Sequence, residues 1–297
     1  MRINPGKCVA CGNCTYVCPM GAIYIDPALK RATIDRDECV ECYTCFNGLS
    51  QEHLPPGVVR TVRRVFGALR IRFEPEPDVC PTAAFEPDEL TWPRVVRRAF
   101  SDPRVPHEST GVEGRGTEEV KTNDVTGRVG PGEVGFTIEL GRPGVGVRFR
   151  DIQVMCRALA AAGVAFEKKN PITSLMSDVA TGTIREDILS EKVLSAIVEI
   201  KVPAARAEEI VRLVWDVEKQ VDTVVSIGAG VRCDERGEDT VVAPIFERLG
   251  YQLARAKTNV GLGRRGASTS ASPEASASAK ASADGSMEKP EPEMVNT

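Results

Sequence analysis

The sequence predicts an α+β chain with two folded domains and a tail of different composition. Eight of its ten cysteines lie between Cys8 and Cys80, which indicates a cysteine-rich domain over residues 1–100. Alternating and helical apolar patterns follow one another over residues 133–265, which indicates a second, α+β domain. Residues 101–132, rich in Gly, Thr, Pro and charged side chains, have the composition of a loop or linker.

Two runs of closely spaced cysteines dominate the first domain. Both contain Cys-x2-Cys-x2-Cys, and the members are Cys8, Cys11, Cys14 and, before a proline, Cys18, then Cys39, Cys42 and Cys45. A loop of this spacing supplies three corners of a 4Fe–4S cubane, and the fourth thiolate comes from elsewhere in the chain. Cys-x2-Cys pairs also build zinc ribbons, but two such triads fit tetrahedral zinc poorly. We therefore expect two 4Fe–4S clusters.

An internal duplication locates the cysteine that the second run lacks. The segments "CPMGAIYIDP" (residues 18–27) and "CPTAAFEPDE" (residues 80–89) follow the same plan. Cys80 is therefore the predicted partner, displaced by an insertion over residues 46–79. Because the fourth cysteine of each run serves the other cluster in two-cluster proteins, the expected ligand sets are Cys8, Cys11, Cys14 and Cys80 for one cluster, and Cys39, Cys42, Cys45 and Cys18 for the other.

With these motifs, residues 1 to about 90 resemble the bacterial two-cluster ferredoxin family, apart from the insertion. The resemblance implies one-electron transfer at low potential through two neighbouring clusters. It also implies a ferredoxin or another electron donor as a partner. The long spacing between Cys45 and Cys80 departs from the family pattern.

The insertion has a basic and an apolar character. Between His53 and Phe73 it contains no acidic residue but five arginines, namely Arg60, Arg63, Arg64, Arg70 and Arg72. Val62, Val65, Phe66 and Leu69 recur at helical spacing, which predicts a helix with one apolar and one basic face. The basic face is either a solvated surface or a docking surface for an acidic electron donor or an anionic substrate.

A short helix is predicted over residues 90–100, after the last cysteine motif. Thr91 is a suitable N-cap, and Pro93 is tolerated in a first helical turn. We expect Trp92 to pack against the cysteine-rich domain.

The second domain shows the order βαββαβ. Strands are predicted at residues 134–140, 164–166, 194–202 and 223–227, with a helix ended by Gly163 and another opened by Pro203. This is the split βαβ plan of ferredoxin-like α+β sandwiches, which hosts many unrelated functions. Cys156 lies on an apolar helical face and is predicted to be a core thiol. Cys233 is also predicted to have a structural role.

One short pattern occurs on both sides of this domain. "KTNDVTGR" (residues 121–128) and "KTNVGLGR" (residues 257–264) share Lys-Thr-Asn-x3-Gly-Arg. Chance is one explanation. The other is that both loops converge on one anion site, where lysine and arginine bind a carboxylate or phosphate.

The stretch "STGVEGRGTEEVKTNDVTGRVGPGEVGFTIELGRPGVG" (residues 109–146), after two ferredoxin-type motifs, resembles the 6-hydroxynicotinate reductase family of iron–sulfur proteins. The likeness runs over most of residues 1–265. It implies reduction of a ring-activated aromatic acid with electrons from reduced ferredoxin, and a flavin on this chain or on a partner subunit. The candidate substrate-binding residues are then Arg115, Lys121, Asn123, Arg128, Lys257, Asn259 and Arg264, with His107 as a candidate proton donor.

Two functions follow from these patterns. In the first, the chain is a ferredoxin-dependent reductase or a subunit of one. In the second, it is a non-catalytic 4Fe–4S carrier whose α+β domain docks partner subunits. The net charge of −4 does not indicate nucleic-acid binding. The sequence has no apolar run of transmembrane length and no leader before Cys8, so we expect a cytoplasmic protein. Residues 266–297 are Ser/Ala-rich and predicted to be disordered.

Overall fold

The computed structural model describes residues 1–48, 54–71, 80–106, 127–142 and 144–251. The predicted disorder of the tail lies outside these residues. The elements of the first part are β1 (Arg2–Ile3), α1 (Asn13–Val17), β2 (Ile23–Asp26), β3 (Arg31–Ile34), α2 (Thr44–Asn47), α3 (Pro56–Ala68), β4 (Phe85–Glu86) and α4 (Val95–Ser101). Those of the second part are β5 (Glu133–Leu140), β6 (Val147–Arg148), α5 (Phe149–Ala161), β7 (Ala165–Phe166), α6 (Pro171–Ser174), β8 (Met176–Asp178), β9 (Thr183–Ile184), β10 (Lys192–Val193), β11 (Ala196–Pro203), α7 (Ala207–Glu218), β12 (Val225–Val231) and α8 (Val242–Arg248).

The cysteine-rich part is built from two similar halves. β2 pairs with β3 in one antiparallel hairpin, and β1 pairs with β4 in a second antiparallel ladder. Short helices α1 and α2 occupy equivalent positions, each within a cysteine run. Apolar side chains between the halves, including Ile23, Tyr43 and Phe85, form a small core together with cysteines. The ferredoxin-type fold predicted for this part is confirmed.

The second part is an α+β sandwich, as predicted. Its four-stranded sheet has the order β12–β5–β11–β7, and every neighbouring pair is antiparallel. This is the strand order of a split βαβ fold, in which the first and third strands are central. Buried side chains of α5 and α7, among them Ile152, Leu159 and Ile210, pack with those of the strands in one continuous core.

The two central strands are more buried than their alternating pattern predicts. Along β5 the polar-side positions Gly135 and Thr137 are buried as well as the apolar positions. On β11 the same holds for Glu199. The second face of the sheet is covered here, because Arg128 and Glu167 from adjoining segments line a cavity over it.

Helix α4 joins the two parts. Its Val96 and Phe100 belong to the core of the α+β domain rather than to the cysteine-rich core. The rings of Phe100 and Phe149 meet edge to face at 5.4 Å. The domain boundaries drawn from the sequence stay a prediction, but the last helix of the first predicted domain is packed into the second.

The predicted short helix is present as α4, but it begins at Val95 because residues 92–94 form a turn before it. Arg94 rather than Thr91 precedes its first residue, so the N-cap prediction is wrong, and so is the prediction for Trp92. Trp92 does not pack on the cysteine-rich domain. Its Nε1 donates to Asp187 at 2.6 Å, and the guanidinium of Arg185 lies over its ring at 4.4 Å, so it contacts the α+β domain.

The insertion contains the predicted helix, α3, and part of the apolar face of the helix points outward. Val59 is buried, and Val62 and Phe66 of the predicted apolar face are half-buried, whereas Val58, Val65 and Leu69 are 51%, 49% and 61% exposed. Arginine side chains instead reach toward the cysteine-rich domain. The reason is that carbonyl groups of the first cysteine loop accept hydrogen bonds from them, as described below.

Candidate metal centre

The first predicted set of thiols lies around one cavity. Cys8, Cys11, Cys14 and Cys80 all line it, together with apolar side chains such as Ala32 and Phe85. Cys80 therefore joins the first cysteine run in space, although the insertion separates them in sequence. Burial raises the pKa of the Cys14 thiol to about 12, with further contributions from the charges of Cys11, Cys8 and Cys80.

The second predicted set is also brought together. Burial raises the pKa of the Cys45 thiol to about 12, and the charges of Cys42, Cys39 and Cys18 act in the same direction. Each set thus combines buried or half-buried thiols that would repel one another as thiolates. A metal group with positive charge removes that cost, since metals bind cysteine in its thiolate form.

Backbone amides point at the sulfur atoms in a repeated way. The amide of Ala22 donates to the sulfur of Cys18 at 3.3 Å, and the amide of Ala84 donates to that of Cys80 at 3.2 Å. These two cysteines are the equivalent positions of the internal duplication. Cys8 accepts from the amides of Ala10 and Ala32 at 3.5 and 3.4 Å. Such donors stabilise sulfur that carries negative charge, so the donor set fits an iron–sulfur cluster.

The backbone of the two runs bends at matching positions. Ala10 and Gly12 have φ of 54° and 87°, and Glu41 and Tyr43 have φ of 54° and 60°. These residues stand at the same places within Cys-x2-Cys-x2-Cys. The left-handed turns let one short loop present three thiols inward, at a steric cost for the three residues that are not glycine.

The cysteine pattern favours clusters over zinc. A tetrahedral zinc site needs four ligands around one ion, with sulfur atoms at about 2.3 Å. Two Cys-x2-Cys-x2-Cys runs, each joined by one further cysteine from elsewhere in the chain, instead match two cubanes, each of which is bound by four thiolates at different corners.

Helix α3 covers the first cysteine loop through two arginines. Arg60 Nη2 donates to the carbonyl groups of Gly6 and Cys8 at 2.5 and 3.1 Å, and Arg63 Nη2 donates to that of Ala10 at 3.5 Å. Burial raises the pKa of the Cys11 thiol, and the charge of Arg63 opposes that shift. Positive charge therefore lies beside the first set of thiols.

The second cysteine loop is held against the α+β domain. The buried Arg97 of α4 donates to the carbonyl groups of Arg36, Asp37 and Cys39 at 3.2, 2.7 and 2.9 Å, and its Nε donates to Glu191. Close by, Glu38 pairs with Lys192 and, at 3.2 Å, with Arg148. The sequence reading missed Arg97 and Glu191, because only the fold brings them together.

Glu41, inside the second run, is a buried carboxylate with two cationic partners. It accepts from the amino group of Met1 at 2.8 Å and from Arg94 Nε and Nη2 at 2.9 and 2.7 Å. Burial raises the pKa of Glu41, but these hydrogen bonds outweigh burial and lower it below its usual value. The carboxylate is therefore ionised, and it ties the loop between Cys39 and Cys42 to the amino terminus and to Arg94.

The predicted substrate residues are, with one exception, outside the described residues. That applies to Arg115, Lys121, Asn123, Lys257, Asn259 and Arg264, and also to His53 and His107. Arg128 is described, and its Nη1 lies 2.7 Å from Glu167 and 3.8 Å from Glu199. It lines a cavity of about 170 Å³ together with Phe166 and Lys201. Whether these residues bind a substrate stays a prediction.

The two remaining cysteines lie apart from both sets. Cys156 is fully buried on α5 within the core of the sandwich, and burial raises its pKa. Cys233 follows β12 and is half-buried; burial raises its pKa, as do the charges of Asp239 and Asp234. Both positions agree with structural thiols.

Comparison with known proteins identifies the cysteine-rich part only. Residues 1–48 match a family model described as a 4Fe-4S dicluster domain. No curated protein and no solved structure matches the chain. The chain is thus an iron–sulfur protein with a ferredoxin-type N-terminal domain and an electron-transfer role. Cys80 lies beyond the matched residues, so the ligand sets stay predictions.

No helix in the described ranges combines the length and the apolar run that a membrane crossing requires.

Proposed function

We propose that the chain is an iron–sulfur oxidoreductase, or the electron-transfer subunit of one, that reduces a 6-hydroxynicotinate-like aromatic acid with electrons from reduced ferredoxin. The eight proposed ligands are Cys8, Cys11, Cys14 and Cys80 for one cluster, and Cys18, Cys39, Cys42 and Cys45 for the other. When bound, the clusters supply one-electron transfer.

The observation that carries this proposal is the placement of the two sets of thiols. The first set lies beneath α3, which contacts the loop of Cys8. The second set lies beside the α+β domain, because Arg97 joins the carbonyl group of Cys39 to Glu191. This supports passage of electrons from the first set toward the second and on to the α+β domain.

The proposed reaction sets further requirements. Saturating a ring double bond takes two electrons and two protons, whereas each cluster passes one electron at a time. A flavin, on this chain or on a partner subunit, would pair the electrons. Cationic side chains at the substrate would stabilise developing negative charge. Arg115, Lys121, Arg128, Lys257 and Arg264 are the candidates for that role.

A second candidate function is a non-catalytic 4Fe–4S carrier whose α+β domain docks partner subunits. One observation favours it: Arg128, the described member of the predicted anion site, has Glu167 as an ion-pair partner. A carboxylate substrate would compete with that pair for the guanidinium.

The test is anaerobic purification of the chain, alone and together with the proteins encoded beside it. The samples are assayed for flavin absorbance and for reduction of 6-hydroxynicotinate by reduced ferredoxin. The reductase proposal expects turnover in at least one preparation, and a KM for the acid that rises about 10- to 100-fold in Arg264→Ala, since one charge-assisted hydrogen bond is lost. Reduction of the clusters by dithionite is the control and stays unchanged. Full cluster content without flavin or turnover in any preparation supports the carrier.

A further inference from the structure

Helix α3 presents an apolar surface to solvent. Val58, Val65 and Leu69 recur at helical spacing along it, and each is about half exposed or more. Ile71, just after the helix, is 52% exposed as well. We call these four residues the α3 patch. Exposed apolar residues that adjoin one another, unlike scattered ones, mark binding surfaces.

The segment that carries the α3 patch is basic. Between residues 54 and 71 the chain has four arginines and no acidic residue. Arg64 and Arg70 are exposed beside the patch, whereas Arg60 and Arg63 point to the first cysteine loop. An apolar centre with a charged rim is the usual anatomy of a protein–protein interface. The sign of the rim selects a partner with negative surface charge.

The position of α3 narrows the class of partner. Arg60 and Arg63 fasten the helix over the loop that carries Cys8 and Cys11. A protein seated on the outward α3 patch is therefore separated from the first set of thiols by the thickness of one helix, about 10 Å. A partner that exchanges electrons with that set needs such closeness. A lipid surface would also attract a basic amphipathic helix. It would not exchange electrons with the first set of thiols, however, so it does not explain why the helix covers them.

We propose that the α3 patch and its arginine rim are the docking site of a small acidic one-electron carrier protein. The proposal rests on the iron–sulfur role proposed above. In the step it serves, the reduced carrier loses one electron and the cluster of Cys8, Cys11, Cys14 and Cys80 gains it; no bond forms or breaks. Acidic carriers are steered to the basic rim over distances of about a Debye length, and the apolar centre then excludes water.

The experiment uses the full chain with its clusters and an acidic two-cluster ferredoxin as the probe. Calorimetry gives the Kd for the oxidised probe at about 50 and 300 mM salt, and stopped-flow absorbance gives the rate of reduction by the reduced probe. Arg64→Glu removes rim charge, and Leu69→Ser removes part of the apolar centre. Arg150→Glu is the matched control, because Arg150 is exposed on α5 of the α+β domain.

We expect Arg64→Glu to weaken binding about tenfold or more at low salt, with a smaller effect at high salt, and Leu69→Ser to weaken it at both. Reduction by dithionite and the spectrum of the clusters stay unchanged, and Arg150→Glu behaves like the unaltered chain. Equal affinity in all variants, or no binding by the unaltered chain, overturns the proposal. So does an Arg64→Glu variant that loses binding to anionic phosphatidylserine vesicles but keeps its affinity for ferredoxin. Purified chain that contains no iron and no sulfide would instead contradict the proposed function. That result is distinct from a failure of the docking proposal.

Discussion

Arg97 and Glu191 form a buried ion pair that fastens the second cysteine loop to the α+β domain. Arg97 Nη1 also donates to three carbonyl groups of that loop, so its guanidinium contacts both the loop and the α+β domain. Removing one member of a buried pair leaves the other charge without compensation, which costs about 3–5 kcal/mol.

Arg97→Ala should therefore lower the free energy of unfolding by about 3–5 kcal/mol, measured by denaturant unfolding under anaerobic conditions. The control is Arg212→Ala, whose pair with Glu208 spans one exposed helical turn and should contribute less than about 1 kcal/mol. The double variant Arg97→Ala/Glu191→Ala should lose less than the sum of the single variants. Equal losses in Arg97→Ala and Arg212→Ala would show that Arg97 does not hold the two parts together.

The metal content is the second prediction. Two cubanes bind eight irons and eight sulfides, so anaerobically purified protein should contain about that number of each per chain. Chemical iron and sulfide assays, with zinc measured in the same sample, make the check. Stoichiometric zinc, or four irons only, would contradict two cubanes.

The third prediction separates the two sets of thiols. Cys80→Ser should damage the cluster of Cys8, Cys11 and Cys14 and spare the other, and Cys18→Ser should do the reverse. The physical reason is that each of these cysteines supplies the fourth corner of one cluster only. EPR spectra after chemical reduction resolve the outcome, with Cys156→Ser as the control because Cys156 lies in the core of the sandwich. If Cys80→Ser keeps both clusters intact, the fourth ligand is another residue.

The fourth prediction concerns Arg128 and the protonation of Glu167. Burial raises the pKa of Glu167, but the amide of Lys169 and the Arg128 guanidinium outweigh it and lower the pKa below its usual value. Such a carboxyl stabilises the fold above its unfolded pKa of about 4.3, and this contribution is lost as the pH falls through the folded pKa. Arg128→Ala should move the pKa of Glu167 upward and reduce stability at pH 7 by about 1 kcal/mol.

NMR titration of the Glu167 carboxyl carbon and unfolding at pH 7 and near pH 4.5 test this. The difference in stability between Arg128→Ala and the unaltered chain should be larger at pH 7. An unchanged pKa of Glu167 in the variant would mean that Arg128 is not its partner in solution.

Local patterns in the sequence were sufficient for much of the architecture. Strand and helix order in the second domain followed from periodicities of 2 and 3.6, because each element buries one face. The spacing of Cys8 to Cys18 and the repeated Cys-Pro segment at Cys80 predicted which thiols meet. Both kinds of pattern lie within short stretches of chain, so they can be recognised without knowledge of the fold.

Local patterns did not predict the contacts between distant segments of the chain. Nothing local indicates that Trp92 meets Asp187 or that Arg97 meets Glu191, since each pair depends on how two domains pack. The pattern of α3 gave an apolar and a basic face but not which one points inward.

The sequence by itself determined that this is an α+β iron–sulfur protein with two cysteine runs and a split βαβ domain, because ligand spacing and apolar periodicity are properties of the chain. Only the tertiary structure decided that the first set of thiols lies under the arginines of α3 and the second beside the α+β domain. Carbonyl groups of a folded loop can attract Arg60 and Arg97 more strongly than solvent does once the loop has its shape. That preference turns Val58, Val65 and Leu69 outward, and it forms the α3 patch on which we propose that the electron donor docks.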